Sequence, residues 1–326
     1  MPQPGLILDK SAFQALSRDE HAERLFRYQE NITPILLREI LADLAKADSE
    51  RKPEAVVKTL ANKFLGSGGV INADHRKLCA AELTGGGRFE ADGRPVIDNY
   101  TAAREPDGSL SILIEPTSAN MAILRWAGAQ FSPEEKIAAS GLRASAGAFS
   151  IDALYGRLRQ HQVLIPRPKS IPEIQEIADD LLARLPLQAP FIDWLMDQLR
   201  LPANVRQAVG RRWNFEGRPP LVHFAPYAHH CTRVLLLVLV GMRHKVLSAR
   251  KTNRLDAEYL FYVPFCEVFV SGDRLHEQLA PMVMGAGRTF VPMRTFKAEM
   301  AAHRVERQAA GAGRAPSSSG TPPGVT

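Results

Sequence analysis

Cysteine is scarce in this chain: three residues in 326, at positions 79, 231 and 266. An odd and widely spaced set builds no disulfide framework and supplies no Cys-x-x-Cys pair for zinc. His75 with Cys79, and His229-His230 with Cys231, lack a second pair at ligand spacing, so they read as structural residues. Long hydrophobic runs are also missing. The longest, residues 234–241, lies between Arg233 and Arg243, far short of the roughly 20 residues that a membrane span needs. The opening Met-Pro-Gln-Pro-Gly-Leu-Ile-Leu-Asp9 has no basic stretch and no cleavable apolar stretch, so the expectation is a cytoplasmic protein with no membrane partner. Gly85-Gly-Gly87 is not followed by the Lys-Ser/Thr of a phosphate loop. No serine sits in a nucleophile elbow, and no internal repeat is visible.

What is present is ordinary globular material, 45% hydrophobic and 23% charged, which excludes a mainly disordered chain. Lys plus Arg at 41 against Asp plus Glu at 35 gives +6. That mild excess suits a polyanion such as RNA, and equally suits an unremarkable solvated surface.

The two ends of the chain read as alternating strands and helices. Residues 5–10 form an apolar run closed by charge, as in a buried parallel strand. A helix or helix pair is expected over 11–26, and a second strand over 28–33. A helix follows from Pro34, with Thr33 as its N-cap and Pro34 at its first position. Near the other end, 232–250 reads as a buried helix, 254–261 as a helix opened by Thr252 or Asn253, 267–273 as a strand, and 274–279 as the start of a helix. Between them, 47–228 reads as a mostly helical inserted region, with helices at 174–185 and 191–201 and loops at Arg211-Arg212-Trp213 and Pro219-Pro220. The expected organisation is a discontinuous core of 1–46 and 229–302, the insertion 47–228, and a disordered tail 303–326 rich in Ala, Gly, Ser and Pro. Strands alternating with helices imply parallel pairing, hence an α/β fold in three layers, α/β/α, around a mainly parallel sheet.

Four acids stand where such a sheet would gather them. Asp9 and Asp273 each end an apolar strand, at the edge where open α/β sheets bind ligands. Glu39 lies in the helix after Thr33, and Asp256 in the first turn of its own helix. Each has a plainer explanation as well: Asp9 and Asp273 as turn formers, Asp256 as the partner of an N-cap, and Glu39 as a solvated helix residue.

The hydrophobic strand ending in Asp9, Leu-Leu-Arg-Glu39-Ile-Leu, Leu-Asp256-Ala-Glu-Tyr-Leu and Val-Phe-Val-Ser-Gly-Asp273-Arg-Leu-His together resemble, in order and type, the four acidic motifs of the PIN nuclease domain. The resemblance covers the two ends and says nothing of the middle, and the gap between Glu39 and Asp256 far exceeds that of a compact PIN domain. It implies an α/β/α sandwich and metal-dependent hydrolysis of RNA, often single-stranded. In its terms Asp9, Asp256 and Asp273 are ligands of Mg²⁺ or Mn²⁺, Glu39 is a further ligand or orients the attacking water, and Ser271 bonds a carboxylate or phosphate. The chemistry agrees, because crowded carboxylates need a cation, and these hard ions prefer oxygen. Arg250, Lys251 and Arg254, close to Asp256, are candidates to bind substrate phosphates, with Arg243, His244 and Lys245 in the same basic run. Lys10, where the family has a small or polar residue, is positioned to pair with a carboxylate in place of a metal. Ser11, where an aspartyl phosphatase of the haloacid dehalogenase type has a second Asp, argues against that enzyme class. The rival readings are a non-catalytic PIN-like module that binds RNA or protein, and an assembly protein that uses the insertion to hold a protein partner.

Overall fold

The computed structural model describes residues 3–46, 52–97, 100–104, 110–114, 117–147, 150–247 and 253–312. Seven strands occur there: β1 (Gly5–Leu8), β2 (Gln29–Ile32), β3 (Val70–Ile71), β4 (Tyr100–Arg104), β5 (Leu110–Ile114), β6 (Val268–Ser271) and β7 (Thr289–Pro292). Five of them form one sheet in the order β3-β2-β1-β6-β7, every pair parallel, while β4 and β5 pair antiparallel apart from it. All four residues of β1 are buried, so both faces of the sheet are covered, as an all-parallel sheet requires. The fold is α/β.

The chain runs outward from β1 through β2 to β3, then returns to β1's other side as β6 and β7. Leu6, Ile7 and Leu8 pair with Val268, Phe269 and Val270, which brings the two ends of the chain together and sets the residues after Leu8 and Ser271 at the same edge. The sheet also takes β3 from beyond residue 46, and one buried hydrophobic cluster runs from Leu6 to Met300 through the middle region.

Sixteen helices of four residues or more surround the sheet among the described residues. The first three are α1 (Lys10–Ala15), α2 (Arg18–Leu25) and α3 (Pro34–Ala42). The expected pair over 11–26 splits at Ser17, whose hydroxyl and Glu20 form a reciprocal capping box. Thr33 accepts from the Leu36 amide at 3.3 Å, with Pro34 at the first helical position. The middle carries α4 (Pro53–Phe64), α5 (His75–Thr84), α6 (Ser118–Ala127), α7 (Pro133–Gly147), α8 (Ile151–Gln160), α9 (Ile171–Ala183), α10 (Gln188–Gln198), α11 (Ala203–Phe215) and α12 (Leu221–Phe224). The last four are α13 (Pro226–Arg243), α14 (Asn253–Leu260), α15 (Arg274–Val283) and α16 (Met293–Ala312).

Several boundaries differ from expectation. Arg211, Arg212 and Trp213 lie inside α11 rather than in a loop, and the Arg212 guanidinium donates to the carbonyls of Glu82, Leu83 and Phe224. The buried helix α13 starts at Pro226, six residues before 232, because Pro at the first position needs no amide partner, and ends at Arg243 rather than at 250, with residues 244–247 in a turn. The helix α16 continues through Ala312, past residue 303, since alanine is the strongest helix former. Residues 313–326 lie outside the described residues. No helix among those described is long and apolar enough to cross a membrane.

Candidate functional site

The strand order reverses at β1, so the crevice between the carboxyl ends of β1 and β6 is the topological switch point of the sheet. Both strands end there in the same way. Leu8 gives way to Asp9, which caps α1 by accepting from the Ala12 amide at 2.7 Å. Ser271 gives way, one residue on, to Asp273, which caps α15 by accepting from the Leu275 amide at 2.6 Å. The capping role that explains an aspartate after a strand is therefore filled at both positions. From flanking helices, α3 contributes Glu39 and α14 contributes Asp256. These four acids line one cleft of about 230 Å³ with Lys10, Ser11, Gln14, Tyr259 and Gly272.

Asp9 is the most enclosed of the four, at 4% exposure. The Ser11 hydroxyl lies 2.9 and 3.0 Å from its two oxygens, and the Ser271 hydroxyl 2.5 Å from Oδ2. Behind Ser271 stands His276, fully buried, with Nδ1 2.7 Å from Ser271 Oγ and 3.4 Å from Asp9 Oδ2. Its Nε2 lies 2.6 Å from the Asp256 carbonyl oxygen. A carbonyl only accepts, so Nε2 carries a proton; with the Ser271 hydroxyl donating to Asp9, Nδ1 donates to Ser271 and carries the second. Burial alone would push the imidazole down, but the bond and charge from Asp9, joined by Asp256, raise it to about 8. Conversely, burial would raise Asp9, yet His276, Ser271 and the Ala12 amide hold it below the usual carboxylate range.

Glu39 differs. Burial, reinforced by the negative charge of Asp9, raises its affinity for a proton, against a 2.5 Å bond from the Tyr259 hydroxyl and the charge of Lys10. Lys10 does not pair with Asp9. Its ammonium sits 2.7 Å from Asp43 Oδ1 and donates to the Glu39 carbonyl at 2.9 Å. No family model, curated protein or solved structure matches this chain.

The other residues singled out in the sequence are placed as follows. Ser271 is 2% exposed and bonds a carboxylate rather than facing the cleft. Arg254 does not line the cleft and pairs with Glu258 at 3.5 Å. Arg250 and Lys251 lie outside the described residues. Arg243 stacks over the Tyr155 ring, pairs with Asp152 at 3.8 Å and does not line the cleft. Glu267 stands just before β6, at the opposite edge, where it accepts from the Gly5 amide. Three residues with a place in the site went unassigned in the sequence: Ser11, Tyr259 and His276. The last two stand three residues after Asp256 and Asp273, one helical turn on and hence on the same face.

The donors around the cleft are carboxylate and hydroxyl oxygens, the kind that Mg²⁺ and Mn²⁺ prefer. They do not converge: among the described residues no group of three or more His, Cys, Asp or Glu side chains is close enough to hold an ion. The set therefore matches such an ion in donor chemistry and lines one cleft, with its carboxylates too far apart to share an ion as they stand.

Proposed function

We propose that this chain is a Mg²⁺- or Mn²⁺-dependent endoribonuclease with a PIN-like core, acting on single-stranded RNA. The observation that supports the reading is that Asp9, Glu39, Asp256 and Asp273, drawn from four separate elements, line one cleft at the switch point. Asp9, Asp256 and Asp273 are the donors that would have to close on the ion, which would supply Lewis-acid stabilisation of the phosphate and a water of lowered pKa. Ser271 and His276 fix the orientation of Asp9, and the imidazolium offsets part of the charge that gathers when three carboxylates share a cleft. Tyr259 fixes Glu39 through its hydroxyl. Glu39, the acid whose proton affinity is raised, is suited to orient a water and take its proton.

The test is cleavage of a labelled, unstructured RNA oligonucleotide in Mn²⁺. Glu39→Gln is expected to slow it by about 10²–10⁴-fold, the usual worth of a general base, and Asp273→Asn to abolish it. Mn²⁺ is also expected to raise the melting temperature of the native chain, by an amount equivalent to about 2.7 kcal/mol at a hundred times Kd, and not that of Asp9→Asn/Asp273→Asn. Absence of cleavage with every divalent ion tried removes the enzymatic reading. A second reading has its own support, since both oxygens of Asp9 already accept hydrogen bonds and His276 already neutralises it. In that reading the chain is a non-catalytic RNA-binding module, and its signature is RNA binding with indifference to Mn²⁺.

A further inference from the structure

Two further clefts share walls with the acidic one. The first, of about 460 Å³, is lined by Gln14 and by one face of α4 with the residue before it: Lys52, Ala55, Val56, Thr59, Leu60 and Lys63. It meets the acidic cleft at Gln14. The second, of about 310 Å³, runs between α3, α7 and α14, and meets the acidic cleft at Lys10 and Glu39. Lys10 and Gln14 are one turn apart on α1, so the three depressions lie side by side along that helix, and we read them together as one groove.

The charge along this groove changes sign twice. The α4 cleft has Lys52 and Lys63 and no acid among its lining residues. The α7 cleft has Lys10, Arg38, Lys46 and Arg143 against Glu39 and Asp43. Between them lie the four acids. A single charged group would settle at one end only. A chain of evenly spaced anions can satisfy both ends while one anion crosses the centre, and the strand of a nucleic acid is such a chain. Ala42, Leu142 and Leu255 lie among the cations of the α7 cleft and offer apolar surface to bases that are not paired.

Most of these cations are already engaged. Lys63 donates to the carbonyls of Phe13, Gln14 and Leu16 at 2.8–3.1 Å, and so closes the end of α1. Arg38 sits between Asp74 and Glu258, and Lys46 pairs with Asp43. Lys52 and Arg143 are the exposed members, one in each flanking cleft.

Resting on the reading of the acidic cleft as the nuclease site, we propose that the groove from α4 to α7 threads a single RNA strand across the acids, with Lys52 and Arg143 each holding a backbone phosphate on either side. The middle region then contributes directly to substrate binding, since α4 and α7 both belong to it. Lys245, which follows α13 in the chain, holds no phosphate in this arrangement.

The experiment measures binding of a short unstructured RNA to the full chain by fluorescence anisotropy, with EDTA present so that nothing is cut. Each phosphate contact on a single strand contributes about 0.7 to the slope of log K against log salt. At about 0.1 M salt that is about a fivefold change in Kd per contact. Lys52→Ala and Arg143→Ala are each expected to weaken binding about fivefold and to flatten the slope by about 0.7, whereas Lys245→Ala changes neither. Unchanged affinity in both variants overturns the groove, even if the native chain cuts RNA in Mn²⁺. Equal affinity for a duplex of the same length overturns it too. The expected losses in a protein that never cuts would support the groove and remove the hydrolytic reading alone.

Discussion

Lowering the pH should destabilise this fold through its buried histidines, and His75 allows the size of the effect to be worked out. The residue opens α5 at 3% exposure, with its ring against Phe261 and Tyr262 and its Nδ1 3.3 Å from the Tyr262 hydroxyl. Burial, opposed only partly by Glu258 and Asp74, lowers its pKa from 6.5 to about 4. The positive end of the α5 dipole acts in the same direction. Between pH 6.5 and about 4 the unfolded chain therefore binds a proton that the native one does not. The stability contribution is complete above pH 6.5 and is lost as pH falls through that window. At 1.36 kcal/mol per pKa unit the loss is about 2 kcal/mol at about pH 5 and about 3 kcal/mol at about pH 4. Urea unfolding of the native chain and of His75→Gln, each at about pH 7 and pH 5, isolates this residue. His21, His229 and His230, lowered to about 3, 4 and 4, are common to both proteins and cancel. The native chain should lose about 2 kcal/mol more than the variant between the two pH values. An equal loss in both would falsify the claim that His75 is held neutral by burial.

Two further perturbations test the packing. Arg24 and Glu30 form a buried pair at 2.8 Å, with side chains 1% and 2% exposed. Arg24→Met strands Glu30 as an unpaired buried charge and should cost about 3–5 kcal/mol in urea unfolding, with most of it recovered in Arg24→Met/Glu30→Leu; a change under about 1 kcal/mol in the single variant contradicts this. Gly241 lies in α13, where an added Cβ would meet the Leu247 side chain and approach Ile174 Cδ1 to 3.0 Å. Alanine gains about 1 kcal/mol in helix propensity and loses about 1–3 kcal/mol to overpacking. Because Leu247 is itself buried and has little room to give, Gly241→Ala should lower the melting temperature, and a rise would refute the contact.

The strands that carry the acids were legible because burial on both faces demands unbroken apolar runs, and an aspartate stands out at the end of each. Thr33-Pro34 announced α3 for a similarly local reason. What escaped was short or masked by composition. Val70–Ile71 is too brief for periodicity to register, Thr289–Pro292 is as long as β1 but has exposed ends in place of an unbroken buried run, and the alanines after 303 suggested a tail although alanine also favours the helix that forms there. Arg211-Arg212-Trp213 suggested a loop because its partners, the carbonyls at the end of α5 and the Phe224 carbonyl, are set by tertiary contacts. The four acids could be picked out singly by strand ends and helix spacing. Their hidden supports could not, since a buried histidine reads in sequence like any other. The basic residues were sought beside Asp256 along the chain, where Arg250 and Lys251 lie outside the described residues; among those described, the acidic cleft and its two neighbours draw cations from positions 10, 38, 46, 52, 63 and 143.

Because β1 finds its β6 neighbour some 260 residues later, the ribosome must add all of that intervening chain before the central strand is flanked on both sides. At about 5–20 residues per second, Leu6, Ile7 and Leu8 wait for tens of seconds with one hydrogen-bonding edge open, a hazard for aggregation. The same delay means that Asp9 and Glu39 emerge long before Asp256 and Asp273 are translated. A nascent chain therefore carries two of the four acids of the cleft until residue 256 is added, and the full set only once residue 273 has been translated.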